Sequence, residues 1–421
     1  MKKVVCLLLA LVMLFSLAAC GKEPAAPATP AEPADPAAPA EPAAPADHGF
    51  DISKVDTSDW VQLELSYATY LAAENPIGAL CFESWEAKLE ELMPGWIELV
   101  IYPSGTLLAQ ADIFEGVESG VADMGMVDVS SVKELLPVCA LWALPGTQAT
   151  ATTSGTAAMQ EWVTRVQPAE LDNVVVLHAQ GNQAGQMVTS FQWDSVDDLA
   201  GKQLRATAAF SDIVTSLGAT PVSVATSEMY EAARSGLIEG AYYTITANTI
   251  NGSHEFMKYG TFTNMCTSPY LYVMNRDTFE RMPETQQEFF LEAFEQAFWE
   301  LIVPKLPEIG DIHEATQRAI EAGDYIVYEL PEETLADVHA RCEHITADYI
   351  AANSHVEGMQ EAYDVLVEMT TKWNEWFPME KYTGPFFTSA EKGFDYVLEH
   401  LDDYRPDPLP EIYGYIPLDQ R

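Results

Sequence analysis

Apolar and polar positions follow two different periods along the chain, and these periods predict strands and helices in alternation. The segments WVQLELSY (60–67) and WIELVIYP (96–103) have strand-like patterns, and a proline ends the second. Between them, ALCFESWEAKLEELM (79–93) has the apolar spacing of a helix. Three later segments repeat these periods: strands at 173–178 and 202–206, and a helix over 285–301. The alternation predicts an α/β architecture with largely parallel sheets.

One short pattern occurs twice. The segments IFEGVESGVADMG (113–125) and MYEAARSGLIEGA (229–241) align without a gap, and each predicts a short helix, a Ser-Gly exit, an apolar pair and an acid. Gly120 and Gly236 can adopt the left-handed conformation that ends a helix, so a central strand can follow at once. Chance similarity is the alternative, because such connections are common. A copy in each half favours two similar lobes that deliver loops to one cleft.

The N-terminus has the features of an export signal. Lys2 and Lys3 precede an apolar run, and the small residues of LAAC lead to Cys20. The run is too short for a resident membrane span. LAAC resembles a bacterial lipobox, so residues 1–20 are predicted to be a lipoprotein signal peptide with Cys20 as the lipidated residue. An ordinary secretory signal that is cut nearby is the alternative.

A tether is predicted at residues 21–57. Proline recurs at every third position from Pro24 to Pro45, mostly between alanines. Three residues per turn is the period of polyproline II, an extended rod without internal hydrogen bonds. At about 3.1 Å per residue, the stretch from Pro24 to Pro45 could hold a domain roughly 70 Å from its anchor.

The charge of the chain excludes some partners. It has 64 acidic and 21 basic residues, a formal net charge of −43. No basic stripe is present, which argues against nucleic acid and against docking on anionic lipid. A well-solvated surface is the expected consequence. With 48% hydrophobic residues, the chain can still bury a core large enough for two lobes.

Motifs for catalysis are absent from the sequence, which contains no GxSxG, no HExxH and no P-loop. His339 and Cys342 share a face of a predicted helix and could bind a metal, but no further ligand falls in register, so a solvated face is favoured. We expect no metal, no cofactor and no enzymatic activity. Four cysteines are far apart and either pair or, as we favour, stay buried as small hydrophobes: Cys81, Cys139, Cys266 and Cys342.

Arg205 is the most informative charged residue. It ends a short strand signal after the turn at Ala200-Gly201, and Ser211-Asp212 follows as an N-cap for a helix. The end of a strand that faces a helix N-terminus suits an anion, and a guanidinium matches a carboxylate through two hydrogen bonds. A salt bridge within the protein is the alternative.

Three blocks of the sequence have a recognisable pattern. The most specific block contains DDLAGKQLRATAAF (197–210) and LGATPVSVATSEMYEAARSGLIEG (217–240). The other two are IYPSGTLLAQADIFEGVESGVADM (101–124) and SPYLYVMNRDTFERMPETQQEFF (268–290). Together they resemble the solute-binding proteins of tripartite ATP-independent periplasmic (TRAP) transporters, and the similarity covers about residues 60–375. It implies that Arg205 clamps the carboxylate of a substrate.

The resemblance also implies an α/β, two-lobe fold like that of type II periplasmic binding proteins, with crossing strands and a long interlobe helix. The first lobe is expected to contain 58–181 and 269–306, and the second 182–268 and 307–375. Residues 376–421 extend beyond the similarity as a C-terminal extension of unknown role.

Departures from the family pattern indicate a less charged, more apolar ligand. Some members carry a second arginine about twenty residues before the clamp, where this chain has Asn182 and Gln186. Many members show an acid and an asparagine where this chain has Tyr242 and Tyr243. Neighbouring strand residues point to opposite faces, so one of these tyrosines is expected in the cleft. The other candidate ligand-binding residues are Tyr70, Trp142 and Tyr270.

These observations predict an extracytoplasmic receptor, lipid-anchored to the cell membrane, that captures a small organic acid by cleft closure. It is expected to be a monomer that delivers its ligand to the membrane subunits of a TRAP transporter. A binding lipoprotein of an ABC importer or of a sensor is the alternative, and a secreted hydrolase is a remote one.

Overall fold

The computed structural model describes residues 50–146, 152–306, 309–310 and 313–376. The predicted signal peptide with Cys20, residues 21–49 of the predicted tether and all but the first residue of the C-terminal extension lie outside the described residues. None of the described helices combines the length and the apolar character needed to cross a bilayer.

The described residues form nine strands and twelve α-helices. The strands are β1 (Leu63–Ala68), β2 (Ile97–Tyr102), β3 (Met124–Asp128), β4 (Val174–Thr189), β5 (Gln203–Arg205), β6 (Thr220–Val222), β7 (Gly240–Tyr242), β8 (Tyr259–Asn275) and β9 (Ile326–Tyr328). The helices are α1 (Pro76–Leu92), α2 (Ile113–Glu118), α3 (Thr152–Val166), α4 (Ser211–Ser216), α5 (Met229–Ser235), α6 (Ile245–Ile250), α7 (Arg276–Phe279), α8 (Glu284–Gln296), α9 (Glu314–Ala322), α10 (Glu332–Cys342), α11 (His344–Ala352) and α12 (Met359–Trp376).

Two long antiparallel strands, β4 and β8, connect the two ends of the sheet. The strand order is β2-β1-β3-β8-β4-β7-β5-β6, and β9 pairs with β8. β1 runs parallel to β2 and β3, and β5 runs parallel to β6 and β7. We call the β1–β3 end the first lobe and the β5–β7 end the second lobe. The predicted α/β, two-lobe fold with crossing strands is confirmed, and the crossing strands supply its antiparallel pairs.

Most predicted elements are present near their expected positions. The capped helix α1 begins after Asn75, whose side chain accepts hydrogen bonds from the N–H groups of Ile77 and Gly78. The strand predicted at 173–178 is observed as β4, which extends to Thr189 because its backbone pairing with β8 continues beyond the apolar pattern. The helix predicted over 285–301 is α8, which continues as a π-helical turn at Ala297–Ile302.

The repeated sequence pattern forms a repeated structure. Gly120 and Gly236 have φ angles of 76° and 75°. Val121 N–H donates to Gly116 O at 2.8 Å after α2, and Leu237 N–H donates to its counterpart, the Ala232 carbonyl, at 2.9 Å after α5. This is the same helix exit in both lobes. Each exit leads into a central strand, β3 or β7.

The repeat extends beyond the matching letters. At the same offset of 116 residues, Asp128 corresponds to Thr244. Asp128 accepts a hydrogen bond from the N–H of Ser130, and Thr244 accepts one from the N–H of Ala247. Each side chain therefore caps the helical turn that follows the central strand of its lobe.

Candidate functional site

Arg205 ends β5 and is 2% exposed. Its Nε donates to Val224 O at 3.0 Å, and its Nη2 donates to Thr226 Oγ1 at 3.2 Å. The guanidinium also lies 5.4 Å from the ring centre of Tyr243. Among the described residues, no Asp or Glu forms an ion pair with it. The guanidinium is therefore held by neutral groups alone, and the alternative of an internal salt bridge is not found in the described part of the chain.

Arg205 lines a cavity of about 60 Å³ between the two lobes. Tyr70, Met126 and Asp128 belong to the first-lobe side, and Thr226 and Tyr243 to the second. Most binding sites for small molecules occupy roughly 300–1,000 Å³. The cleft is therefore closed in this structure, and a ligand enters only when the lobes separate.

Five of the predicted site residues meet at this cavity. They share a place in its lining and come from five separate segments: Tyr70, Asn182, Arg205, Tyr243 and Tyr270. Two of them are joined by a hydrogen bond of 3.2 Å from Asn182 Nδ2 to the hydroxyl of Tyr270. Their roles in ligand binding remain predictions.

Three other predicted residues are not brought to the cavity. Tyr242 points into the core, where its ring lies 5.1 Å from that of Phe210, because strand neighbours alternate in direction. Gln186 is buried and its Oε1 accepts the N–H of Ile245 at 2.8 Å, which fixes the start of α6. Trp142 is fully buried and packs edge-to-face on Trp162 at 5.9 Å.

The structure adds polar residues that the sequence patterns did not indicate. Asp128, Ser130, Thr207, Thr226 and Thr244 line the cavity. Asp128 is one of 64 acidic residues, so composition gives it no special weight. The sequence signal that could have identified Asp128 is the repeat, because Asp128 and Thr244 each lie three residues after the end of a repeated segment.

Direct hydrogen bonds join the lobes beside the cavity. Thr226 N–H donates to Gln110 Oε1 at 3.0 Å. Thr207 Oγ1 donates to Ser130 Oγ at 2.9 Å, and Ala209 N–H donates to Ser130 O at 2.9 Å. Because Gln110 and Ser130 belong to the first lobe and the other three to the second, these bonds stabilise the closed form.

Three tyrosine hydroxyls at the cavity stay protonated at neutral pH. Burial raises the pKa of Tyr243 to about 12, although Arg205 and a hydrogen bond from Asn251 act in the opposite direction. Burial likewise raises the pKa values of Tyr70 and Tyr270 above their ordinary range. Besides the Asp128 carboxylate, the site therefore presents one cation and several neutral O–H groups, which can donate to carboxylate or hydroxyl oxygens.

A larger groove of about 1020 Å³ lies at α10, α11 and α12. The carboxyl groups in its lining belong to Glu343, Glu357 and Glu361, so it disfavours an anion. Cys342 is buried there, and the Nε2 of His339 is 2.7 Å from Thr263 O. The described residues contain no group of three or more His, Cys, Asp or Glu placed to hold a metal ion.

Comparison with known proteins places this architecture in a family. The model of DctP, bacterial extracellular solute-binding protein family 7, matches residues 67–352. The chain belongs to this family. The matched region includes the Arg205 cavity and strands β2 to β9 in full. It begins at Tyr67, so it contains only the end of β1.

Relatives of the DctP chain are distant. An uncharacterised protein of Salmonella typhimurium is 25% identical over 52% of this chain and 70% of its own length. A TRAP periplasmic solute-binding protein from Desulfovibrio salexigens is 24% identical, with a TM-score of 0.61 over 74% of this chain and 97% of the other. A TRAP solute-binding protein from Rhodoferax ferrireducens, solved with copurified benzoate, is 17% identical, with a TM-score of 0.67 over 75% and 99% of the two chains. At these identities the solved structures support the two-lobe fold.

Proposed function

We propose that this chain is the extracytoplasmic receptor of a TRAP transporter and that it captures a small organic carboxylate between its lobes. The observation that carries the proposal is the Arg205 guanidinium, which is buried at the cavity without an ion pair among the described residues. A buried charge is costly unless it is paired. A carboxylate ligand supplies the missing partner.

The geometry suggests how the ligand is held. Two donors of the guanidinium are used by Val224 and Thr226, and the remaining N–H groups can bind a carboxylate with charge-assisted hydrogen bonds. The hydroxyls of Tyr70, Tyr243 and Tyr270 contact the rest of the ligand, and their rings supply apolar surface. The benzoate found with the Rhodoferax ferrireducens protein has this combination of one carboxylate and an apolar body.

Closure explains how one cation suffices in so acidic a protein. Surface acids are screened beyond about 8 Å at physiological salt, whereas a closed cavity excludes that solvent. The receptor works as a monomer that binds its ligand without converting it and passes it to membrane subunits. Cys20 carries the lipid anchor outside the cytoplasm, residues 21–57 act as the tether, and the lobes follow the boundaries predicted above.

The proposal is tested by identifying the ligand. Native mass spectrometry of the purified mature chain is expected to release a small organic acid, and calorimetry with that acid is expected to show one site. The methyl ester or primary amide of the same acid serves as the control, because neither forms the charged pair with Arg205.

Two results would contradict the proposal. One is a ligand whose ester binds as tightly as the free acid. The other is recovery of a chemically altered ligand after incubation, which would indicate an enzyme.

A further inference from the structure

Asp128 is a second buried charge at the cavity. It is 5% exposed and ends β3 in the first lobe. Its Oδ1 accepts the N–H and the hydroxyl of Ser130, at 3.0 and 2.6 Å. Its Oδ2 accepts from Gln110 Nε2 at 2.7 Å and from Ser131 Oγ at 2.8 Å. Four donors fill the acceptor sites of a carboxylate, so the group is held in place.

Because its acceptor sites are filled, Asp128 has no direct hydrogen bond to offer a ligand. Its effect on a ligand is therefore its negative charge. That charge acts in a small, closed cavity, where solvent screens it weakly. The field of Asp128 also extends over the cavity wall, since it contributes to the raised pKa values of Tyr70, Tyr243 and Tyr270.

The charges of the described lining allow a simple count. Arg205 is its one cation and Asp128 its one anion, and the other described lining residues are neutral. A ligand with one carboxylate pairs with Arg205. A second carboxylate would find no further cation in the described lining and would lie in the same small space as Asp128.

We propose that Asp128 is a charge filter that restricts this receptor to monocarboxylates and rejects dicarboxylates of the same shape. The inference rests on the proposed function and narrows its ligand class. Placing like charges together at a binding site suppresses the wrong partner, which is how a single buried charge can set specificity.

A hydrogen-bonded relay connects the filter to the clamp. Gln110 Nε2 donates to Asp128, and Gln110 Oε1 accepts the N–H of Thr226 at 3.0 Å. The hydroxyl of Thr226 in turn accepts from Arg205 Nη2. Asp128 and Arg205 are therefore connected across the two lobes only in the closed form. A dicarboxylate is accordingly expected to be rejected when the lobes close.

The first test uses the wild-type protein and matched ligand pairs. Each pair contains a diacid and its monoamide, which have nearly the same size but charges of −2 and −1 at pH 7.5. Terephthalate with 4-carbamoylbenzoate covers an aromatic framework, and succinate with succinamate covers a small aliphatic one. Calorimetry is expected to show the monoamide binding at least 30-fold more tightly than the diacid in any pair that binds.

The second test uses Asp128→Asn in the same chain. This variant is expected to reduce the ratio of monoamide affinity to diacid affinity at least tenfold, because it removes the charge with little change of shape. Asp123→Asn is the matched control. Asp123 also accepts three hydrogen bonds, from the N–H and hydroxyl of Ser66 and from Thr278 Oγ1, but it does not line the cavity. It is expected to leave the ratio unchanged.

The outcomes separate the two proposals. Diacids that bind as well as their monoamides in the wild type would overturn the filter and leave the carboxylate receptor standing. A ratio that Asp128→Asn leaves unchanged would also overturn it. If Asp128→Asn does not fold, the wild-type ratio decides alone. If neither pair binds, a diacid and a monoamide built on the framework of the copurified acid replace them, and a copurified ligand without a carboxylate means that the proposed function fails first.

Discussion

Replacing Arg205 by alanine is expected to abolish most ligand affinity with little effect on the fold. The guanidinium is 2% exposed, and its two hydrogen bonds within the protein go to neutral oxygens. Removing one partner of a buried, hydrogen-bonded charge pair costs about 2–5 kcal/mol, much of it from stranding the other charge. Arg205→Ala should therefore weaken binding roughly 30-fold to several thousand-fold.

The unliganded protein should respond differently to the same change. The substitution leaves Val224 O and Thr226 Oγ1 without a donor, but it also removes a buried charge that forms no ion pair with a described residue. These effects oppose each other, so the melting temperature should change by no more than about 4 °C. Arg205→Lys should restore part of the affinity, because a point charge cannot reproduce the guanidinium fork.

The assay is calorimetry with the copurified acid, combined with thermal unfolding of the unliganded protein. Arg234→Ala is the matched control, since Arg234 is exposed on α5 and pairs with Glu231 in the same lobe. A loss for Arg205→Ala within about threefold, under roughly 0.7 kcal/mol, would refute the reasoning. Arg205 would then be a structural residue, and the carboxylate assignment would have no support.

Three further expectations follow from other parts of the molecule. Deleting residues 24–47 should leave solution affinity unchanged in calorimetry, and a loss of tenfold or more, about 1.4 kcal/mol, would make the segment part of the site. Gln110→Ala should speed ligand release about 5- to 100-fold in stopped-flow measurements, because Thr226 N–H loses its acceptor in the closed form; an unchanged release rate would show that the bond does not matter for closure. Burial lowers the pKa of His178 to about 3 from an ordinary 6.5, so below pH 6.5 the unfolded state gains a proton that the folded state lacks, and the free energy of unfolding should fall by about 1.4 kcal/mol per pH unit toward pH 3. Urea unfolding at pH 7, 5.5 and 4.5 should show a shallower fall for His178→Phe, and equal slopes would exclude His178 as the cause.

Local signals were sufficient for much of the fold. The helix exits at Gly120 and Gly236 depend on a few neighbouring residues, so the matching sequence segments predicted them correctly. The position of Arg205 at a strand end left an internal salt bridge as an alternative, and the resemblance to the family was what pointed to this arginine as a site residue. The full length of β4 could not be predicted from the sequence, because its second part is held by pairing with β8, which no local pattern describes.

The composition of the site depended on long-range packing. A three-residue strand such as β7 does not show which face is buried, so sequence alone could not choose between Tyr242 and Tyr243. Gln186 lies in a polar run typical of a binding site, but its amide caps a helix that begins 59 residues later. The repeat was the one sequence signal that set Asp128 apart from the other acids, and only the folded chain placed it in the lining of the Arg205 cavity.

The internal repeat has a consequence for the direction in which a ligand lies. In a homodimer with a twofold-symmetric cleft, every residue at the interface occurs twice, so a ligand could bind equally well in either orientation. Here the two lobes belong to one chain, and equivalent positions have diverged, with Asp128 in one lobe and Thr244 in the other. The two ends of the cavity therefore differ in chemistry, and a bound molecule is expected to lie in a single orientation.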